Sequence, residues 1–247
     1  MKETIKVLDH GFVTLRNLAG PTRRDSVAKI FGNSAVTHKR LFDADDTDPA
    51  NSARMSFDAS DLERSYEVEM KLNRYLMKNQ HMTPFESIEV WLEMKLPIFV
   101  ARQFVRHRTA SLNEVSGRYV TLPADWYIPA VVGGKAPSAK QGQADNLPEE
   151  TQEWVRQTLN SDCERSYANY LEAIKRGVAA EHARLFLHIN HYTHWLWKQN
   201  LRNMLHFLAL RDHSHAQVEA QTYAKAVASL LSVHLPGLME LYAELRI

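Results

Sequence analysis

Ile88-Glu89-Val90-Trp91-Leu92-Glu93-Met94-Lys95-Leu96-Pro97 is the stretch on which the fold turns. Ile88, Val90, Leu92, Met94 and Leu96 fall on one side of an extended chain, with Glu89, Glu93 and Lys95 on the other. That period of two predicts a half-buried strand with one face on a core. Pro97 suits the first turn of a helix, which predicts a helix over 97–108. On it Arg102, Gln103, Arg106 and His107 share a face at three- and four-residue spacing.

Working outward, the spacing predicts a helix over 61–78, a return strand over 119–128, a long helix over 149–176 and a strand of mixed character over 184–197. A helix over 199–210 follows, with Leu201, Met204, Leu205 and Leu208 as its core stripe. Further helices are predicted over 214–233 and from Pro236 onward. Segments 20–26, 44–52 and 133–148 read as loops from their Pro, Asp and Gly content. Strands and helices alternate without a repeat. The expected class is α/β or α+β, with a mixed central sheet flanked by long helices, in one domain spanning 1–247.

Composition narrows the function classes. The formal net charge is +1, whereas a polyanion-binding protein usually carries a clear basic excess, so nucleic acid is not the expected partner. One cysteine, Cys163, excludes an intramolecular disulfide and a zinc site built from several cysteines of this chain. Its neighbours Asp162 and Glu164 raise a thiol pKa, which makes it a poor nucleophile. His188, His191 and His194 recur at intervals of three, but a strand would turn His191 away from the other two, and no metal is expected. The opening Met1-Lys2-Glu3-Thr4 carries no signal-peptide pattern, and no apolar run reaches the roughly 18 residues of a membrane span, so a cytoplasmic protein without a membrane partner is expected.

Four clusters carry more polar residues than solubility requires. The densest is Arg106-His107-Arg108-Thr109-Ala110-Ser111-Leu112-Asn113-Glu114-Val115-Ser116-Gly117-Arg118-Tyr119, expected to start at a helix end and continue as a loop. Forked arginine donors and a Ser-Gly-Arg turn with accessible N–H groups suit a phosphate. The alternative is a solvated helix end followed by a turn. His81-Met82-Thr83-Pro84-Phe85-Glu86 reads either as a site element or as a structural turn. Asn200-Leu201-Arg202 through His206 to Leu210-Arg211 reads as a ligand-facing or a solvated helix face. Arg211 lies nine residues beyond Arg202, about half a turn out of phase, so the two should touch different parts of a ligand or serve different subunits. Arg184 in Glu181-His182-Ala183-Arg184 is ordinary by itself.

Together these residues resemble a known family. Arg-His-Arg-x-x-Ser-x-Asn-Glu-x-Ser-x-Arg, spelled here from Arg106 to Arg118, is similar at all eight fixed positions to the signature of flavin-dependent thymidylate synthases. His81 to Glu86 resembles the family's His-x-x-Pro-Phe-Glu element, and Ser52-Ala53-Arg54-Met55-Ser56-Phe57 its Ala-Arg-Val-Ser-Tyr segment. Asn200 to Arg211, then Ser214-His215-Ala216-Gln217, resembles its C-terminal block. Order and spacing agree over residues 52–223. Ser87 stands where the family often has histidine, His206 where some members have asparagine, and the 133–148 loop is longer than usual.

The resemblance implies a homotetramer with active sites at subunit junctions. It implies transfer of a one-carbon unit from methylenetetrahydrofolate to dUMP, reduction by FAD hydride to give dTMP, and NADPH as the reductant of the flavin. By position it assigns Gln103, Arg106, Glu114, Val115, Ser116, Gly117, Arg118, Arg184 and Arg211 to dUMP, with Ser116 to Arg118 on the 5′-phosphate and Arg211 as the catalytic group that polarises the uracil. It assigns Thr83, Arg106, His107, Arg108, Glu114, Asn200, Arg202 and His206 to FAD, and places His81 beside flavin and folate. Two other classes fit the anion-binding residues alone: a nucleotide-binding regulator without chemistry, and a nucleic-acid-binding protein.

Overall fold

The computed structural model describes residues 3–21, 43–57, 64–135 and 143–245. Its centre is a five-stranded sheet of order β1-β2-β3-β7-β4, in which each described pair is antiparallel. The strands are β1 (Glu3–Val7), β2 (Gly11–Ala19), β3 (Glu89–Pro97), β4 (Ser111–Glu114) and β7 (Tyr192–Asn200); β5 (Gly133–Lys135) and β6 (Gln143–Asn146) form a separate pair. The helices are α1 (Asp48–Arg54), α2 (Tyr66–Lys78), α3 (Ile98–Phe104), α4 (Glu149–Lys175), α5 (Ala180–Ala183), α6 (Leu201–Arg211), α7 (Val218–His234) and α8 (Pro236–Leu245). The α+β form of the expected class holds, with an antiparallel sheet in place of a mixed one.

β3 behaves as its alternation predicts. Val90, Leu92, Met94 and Leu96 are fully buried, while Trp91, Glu93 and Lys95 are only half-buried. β7 runs beside it with Leu92 opposite Trp197 and Met94 opposite Trp195, so two large rings reinforce the same face. Phe104 from α3 and Phe207 from α6 meet edge-on with centroids 4.8 Å apart, and Phe207 meets Trp197 at 5.0 Å. At about 1.5–3 kcal/mol per fully buried large apolar side chain, this layer fixes α3 and α6 on the sheet. The other sheet face keeps charge at its surface: Glu93 accepts from Arg16 at 2.6 Å and pairs with His194 at 2.9 Å.

Several boundaries differ from expectation. Segment 44–52 is a loop only as far as Thr47: Asp48 and Pro49 open α1, because proline at the first turn loses no helical hydrogen bond. The predicted helix 61–78 is seen as α2 from Tyr66; residues 61–63 lie outside the described residues, as do 22–26 of the loop 20–26. α3 stops at Phe104, four residues early, and tight turns follow, with His107 N–H on Phe104 O at 3.0 Å.

The expected loop after Arg108 contains β4. All four of its residues are exposed, so this edge strand carries no apolar alternation and is held by pairing with β7. Residues 119–128 form no strand. Their only bridge is Trp126 to His191, and they are anchored by Leu122 N–H to Tyr170 Oη and by Trp126 Nε1 to Asn160 Oδ1, both at 2.9 Å. Of the predicted strand 184–197, residues Arg184–Phe186 form a 3-10 turn and only the part from Tyr192 is extended. The 133–148 loop includes the β5–β6 pair; its residues 136–142 lie outside the described residues.

Candidate functional site

α3 ends against the last turn of α6, and this junction forms a cleft of about 780 Å³. Its lining includes Arg102, Gln103, Arg106, Arg211, His215 and Gln217, three arginines with no carboxylate among the lining residues. Arg211 is anchored on two acceptors. Its Nε–H donates to His107 Nε2 and its Nη2–H to the Gln103 carbonyl, each at 3.1 Å. Burial pulls the guanidinium below its ordinary value, yet an arginine stays cationic at neutral pH. His107 is pushed down to about 4, by burial first and then by Arg211 and His206, and is therefore a neutral acceptor.

Gln103 donates its side-chain Nε2–H to Gln217 Oε1 at 2.6 Å. With that donor engaged, Gln103 Oε1 remains to accept from a ligand N–H. Gln217 stands in the Ser214-to-Gln217 block but was given no role by the sequence reading. Glu114 accepts a short hydrogen bond from Thr193 Oγ1, and Thr193 is buried in β7. Gln217 lies in a block that the resemblance covers and Thr193 in none, and only the fold puts the two against site residues.

Glu114, Val115, Ser116, Gly117 and Arg184 line a second cleft of about 310 Å³, together with Ile98 at the opposite end of α3 from Arg102. Ser116 Oγ accepts from Arg118 N–H at 3.3 Å, which shapes the turn expected to hold a phosphate. Arg118 is exposed and stands 3.4 Å from Glu181. Gly117 does not leave its missing Cβ open to the cleft. A Cβ there would come 3.1 Å from Leu122 Cδ1, so the glycine lets the turn pack on Leu122. Within this chain, then, the residues expected at the nucleotide divide: Gln103, Arg106 and Arg211 line one cleft, Glu114 to Gly117 with Arg184 line the other, and Arg118 lines neither.

Of the residues expected at the flavin, Thr83, Arg202 and His206 belong to the 3-10 turn Thr83–Ser87 and to α6, which pack together, and Asn200 caps that helix. Arg202 pairs with Glu86 across this junction, and the His206 and His107 rings stand 6.3 Å apart. Asn200 caps α6 by accepting from Asn203 N–H at 3.0 Å. His81 and Thr83 are exposed, and the His81 ring meets Tyr75 edge-on at 6.0 Å. Arg106, Arg108 and Arg202 are exposed, and exposed guanidinium groups are donors that fit the diphosphate of a dinucleotide. Glu114 lies apart from this group, in the second cleft. Arg54, within the Ser52-to-Phe57 segment, has a structural partner instead: it pairs with the buried Glu69 of α2 at 2.9 Å.

The remaining candidates are structural. Cys163 is buried, and burial, ahead of Asp162 and Glu164, raises its thiol. His188 contacts Ser166 at 2.8 Å, His194 pairs with Glu93, and His191 is buried, so the three histidines go to separate places. Among the described residues no group of three or more His, Cys, Asp or Glu could hold a metal ion, and no helix is long and apolar enough to cross a membrane.

Known proteins match both the sequence and the geometry. The profile of the family described as thymidylate synthase complementing protein, Thy1, matches residues 40–237. A flavin-dependent thymidylate synthase of Gluconobacter oxydans (strain 621H) is 36% identical over 98% of this chain and 73% of its own length. One from Rickettsia typhi (strain ATCC VR-144 / Wilmington) is 36% identical over 99% of this chain and 80% of its own length. Among solved structures, the UMP/dUMP methylase PolB from Streptomyces cacaoi bound with 5-Br dUMP superposes with a TM-score of 0.79 at 25% identity, covering 98% of this chain and 99% of that one. The same enzyme with 5-Br UMP gives 0.79 at 24% identity, covering 98% of each chain, and supports the fold alone. With the signature unbroken from Arg106 to Arg118, this chain belongs to the Thy1 family, the flavin-dependent thymidylate synthases.

Proposed function

We propose that this chain converts dUMP to dTMP in the cytoplasm, as one domain spanning 1–247, with FAD as its flavin, methylenetetrahydrofolate as one-carbon donor and NADPH as reductant. The observation that carries the reading is the cleft lined by Arg102, Arg106 and Arg211 beside the Gln103–Gln217 amide pair. Cationic donors for an anion and an amide for a pyrimidine edge are what a nucleotide monophosphate requires. The bound flavin supplies the hydride that turns the transferred carbon into a methyl group.

The chain's residues bind, orient and polarise. Of the five N–H groups on the Arg211 guanidinium, two are held by His107 and Gln103, which leaves three for a ligand. Directed at a uracil edge, they stabilise negative charge as it builds on the ring, without a proton leaving the arginine. Gln103 Oε1 is oriented to accept the uracil N3–H. Ser116, Gly117 and Arg118 supply N–H and guanidinium donors to the 5′-phosphate. Arg106, Arg108 and Arg202, with Thr83, Asn200, His107, His206 and Glu114, would hold the FAD, the guanidinium groups supplying donors for its diphosphate. His81 lies beside flavin and folate.

The division of the nucleotide set supports a homotetramer with shared sites. One dUMP needs both clefts, and a second copy placing its Ser116 to Arg118 turn over the Arg211 cleft completes the set. The test of the function is the absorbance spectrum of the purified protein, followed by addition of dUMP. A flavin spectrum that changes with dUMP is expected. A colourless protein that FAD cannot reconstitute would sink the redox step and leave a nucleotide-binding regulator.

A further inference from the structure

We infer that His107 is a positioning residue for Arg211: its unprotonated Nε2 takes the Arg211 Nε–H and thereby fixes which edge of the guanidinium faces the cleft. The inference rests on the reading of Arg211 as the group that faces the pyrimidine.

The geometry sets the tautomer. A guanidinium has only donors, so a ring nitrogen 3.1 Å from Arg211 Nε must offer a lone pair, and the imidazole proton then sits on Nδ1. The second tie is the Gln103 carbonyl in the last turn of α3, where carbonyls lack helical partners. Both ties use the edge formed by Nε and Nη2. The Nη1 pair and one Nη2–H are thus turned outward. α3 and the turn after it therefore hold Arg211 of α6 as a fork holds a bar, before any ligand binds.

The surroundings keep the acceptor in place. From α6, Arg211 and His206 face His107, and both oppose a second positive charge. The Phe207 ring meets it edge-on at 5.1 Å and adds to its burial. Arg106 and Arg108 flank it in its own segment. Burial and these neighbours hold His107 near 4, so Nε2 is a lone-pair acceptor throughout the neutral range. Protonation would set an N–H donor against an N–H donor and release the guanidinium. The Nδ1–H stays free for a ligand, so the role is compatible with a flavin contact.

A double-mutant cycle on the flavin-loaded enzyme tests this, with turnover normalised to flavin absorbance. His107→Leu is expected to lower kcat by about tenfold or more in the wild-type background and by less than about twofold beside Arg211→Ala. His107→Gln keeps an acceptor that cannot be protonated. It should recover most of the kcat that His107→Leu loses and remove the loss of activity at acid pH. Equal losses from His107→Leu in both backgrounds would overturn the inference, as would a His107→Gln enzyme as slow as His107→Leu. If His107→Leu does not fold, His107→Gln and its pH profile decide the matter alone. Near-normal turnover in Arg211→Ala would instead overturn the reading of Arg211, a failure distinct from a lost coupling between the two residues.

Discussion

Arg202 and Arg211 stand on one helix and answer to different partners. Arg202 leans to Glu86 of the 3-10 turn Thr83–Ser87, while Arg211 is tied back to α3. Arg211→Ala should therefore cut dUMP-dependent turnover by about a hundredfold or more, the scale of a lost transition-state donor, with flavin content within about twofold. Steady-state kinetics beside a flavin titration separates the two. Arg118 has a weaker hold in the free protein, since its ion pair with Glu181 is half exposed on both sides. It can exchange that partner for a phosphate, and Arg118→Ala should weaken dUMP by about tenfold or more in a calorimetric titration, with an unchanged isotherm excluding the contact. His107 adds a pH dependence. Its folded value of about 4 lies below the ordinary 6.5, so folding favours the neutral ring. The stability it contributes is whole above about pH 6.5 and is lost as pH falls toward 4. Denaturant midpoints between those values should fall less steeply for His107→Gln than for wild type. The arginines were legible because a signature spells them. Thr193, Gln217 and the structural partner of Arg54 were not, because contacts between residues that belong to different elements leave no local pattern.

At the scale of elements, β3 was legible from end to end because one face is buried and the other is wet. β4 was not, because an exposed edge strand has no core to impose alternation. α1 was hidden by its own Asp and Pro, which mark a loop and a helix start equally well. The first strands, β1 and β2, drew no reading from sequence, yet they extend the sheet beside β3. Gly11 shows how tightly they fit. A Cβ there would lie 2.0 Å from Tyr223 Oη and under 3 Å from the backbone oxygens of Val7 and Lys95. Gly11→Ala should cost about 1–3 kcal/mol by overpacking, seen as a lower Tm with an unchanged flavin spectrum. Asn200 joins element and site. Asn200→Ala should remove about 1 kcal/mol of stability by uncapping α6, and Asn200→Ser should restore most of it. A mutant that loses flavin without losing stability would assign Asn200 to the ligand alone.

For the molecule as a whole, the two clefts at opposite ends of α3 make the assembly testable. Each of Arg211→Ala and Arg184→Ala removes a guanidinium from the lining of one cleft and should abolish its site. If sites form between copies, mixing the two inactive proteins after dissociation should restore about a quarter of the wild-type sites by random pairing. No recovery in exchanged mixtures would mean that each copy builds its site alone. The sequence by itself determined the family, a class that mixes helices and strands, and the core faces of β3 and α6. Each of these is carried by neighbouring residues or a fixed spacing. Only the tertiary structure decided that Arg211 rests on His107 and Gln103, that Gln217 orients Gln103, that Arg54 pairs with Glu69, and that the nucleotide residues of one chain lie in two clefts. Those facts depend on how α3, α6 and β7 are brought together by packing of Phe104, Phe207 and Trp197, a long-range event that no local spacing records.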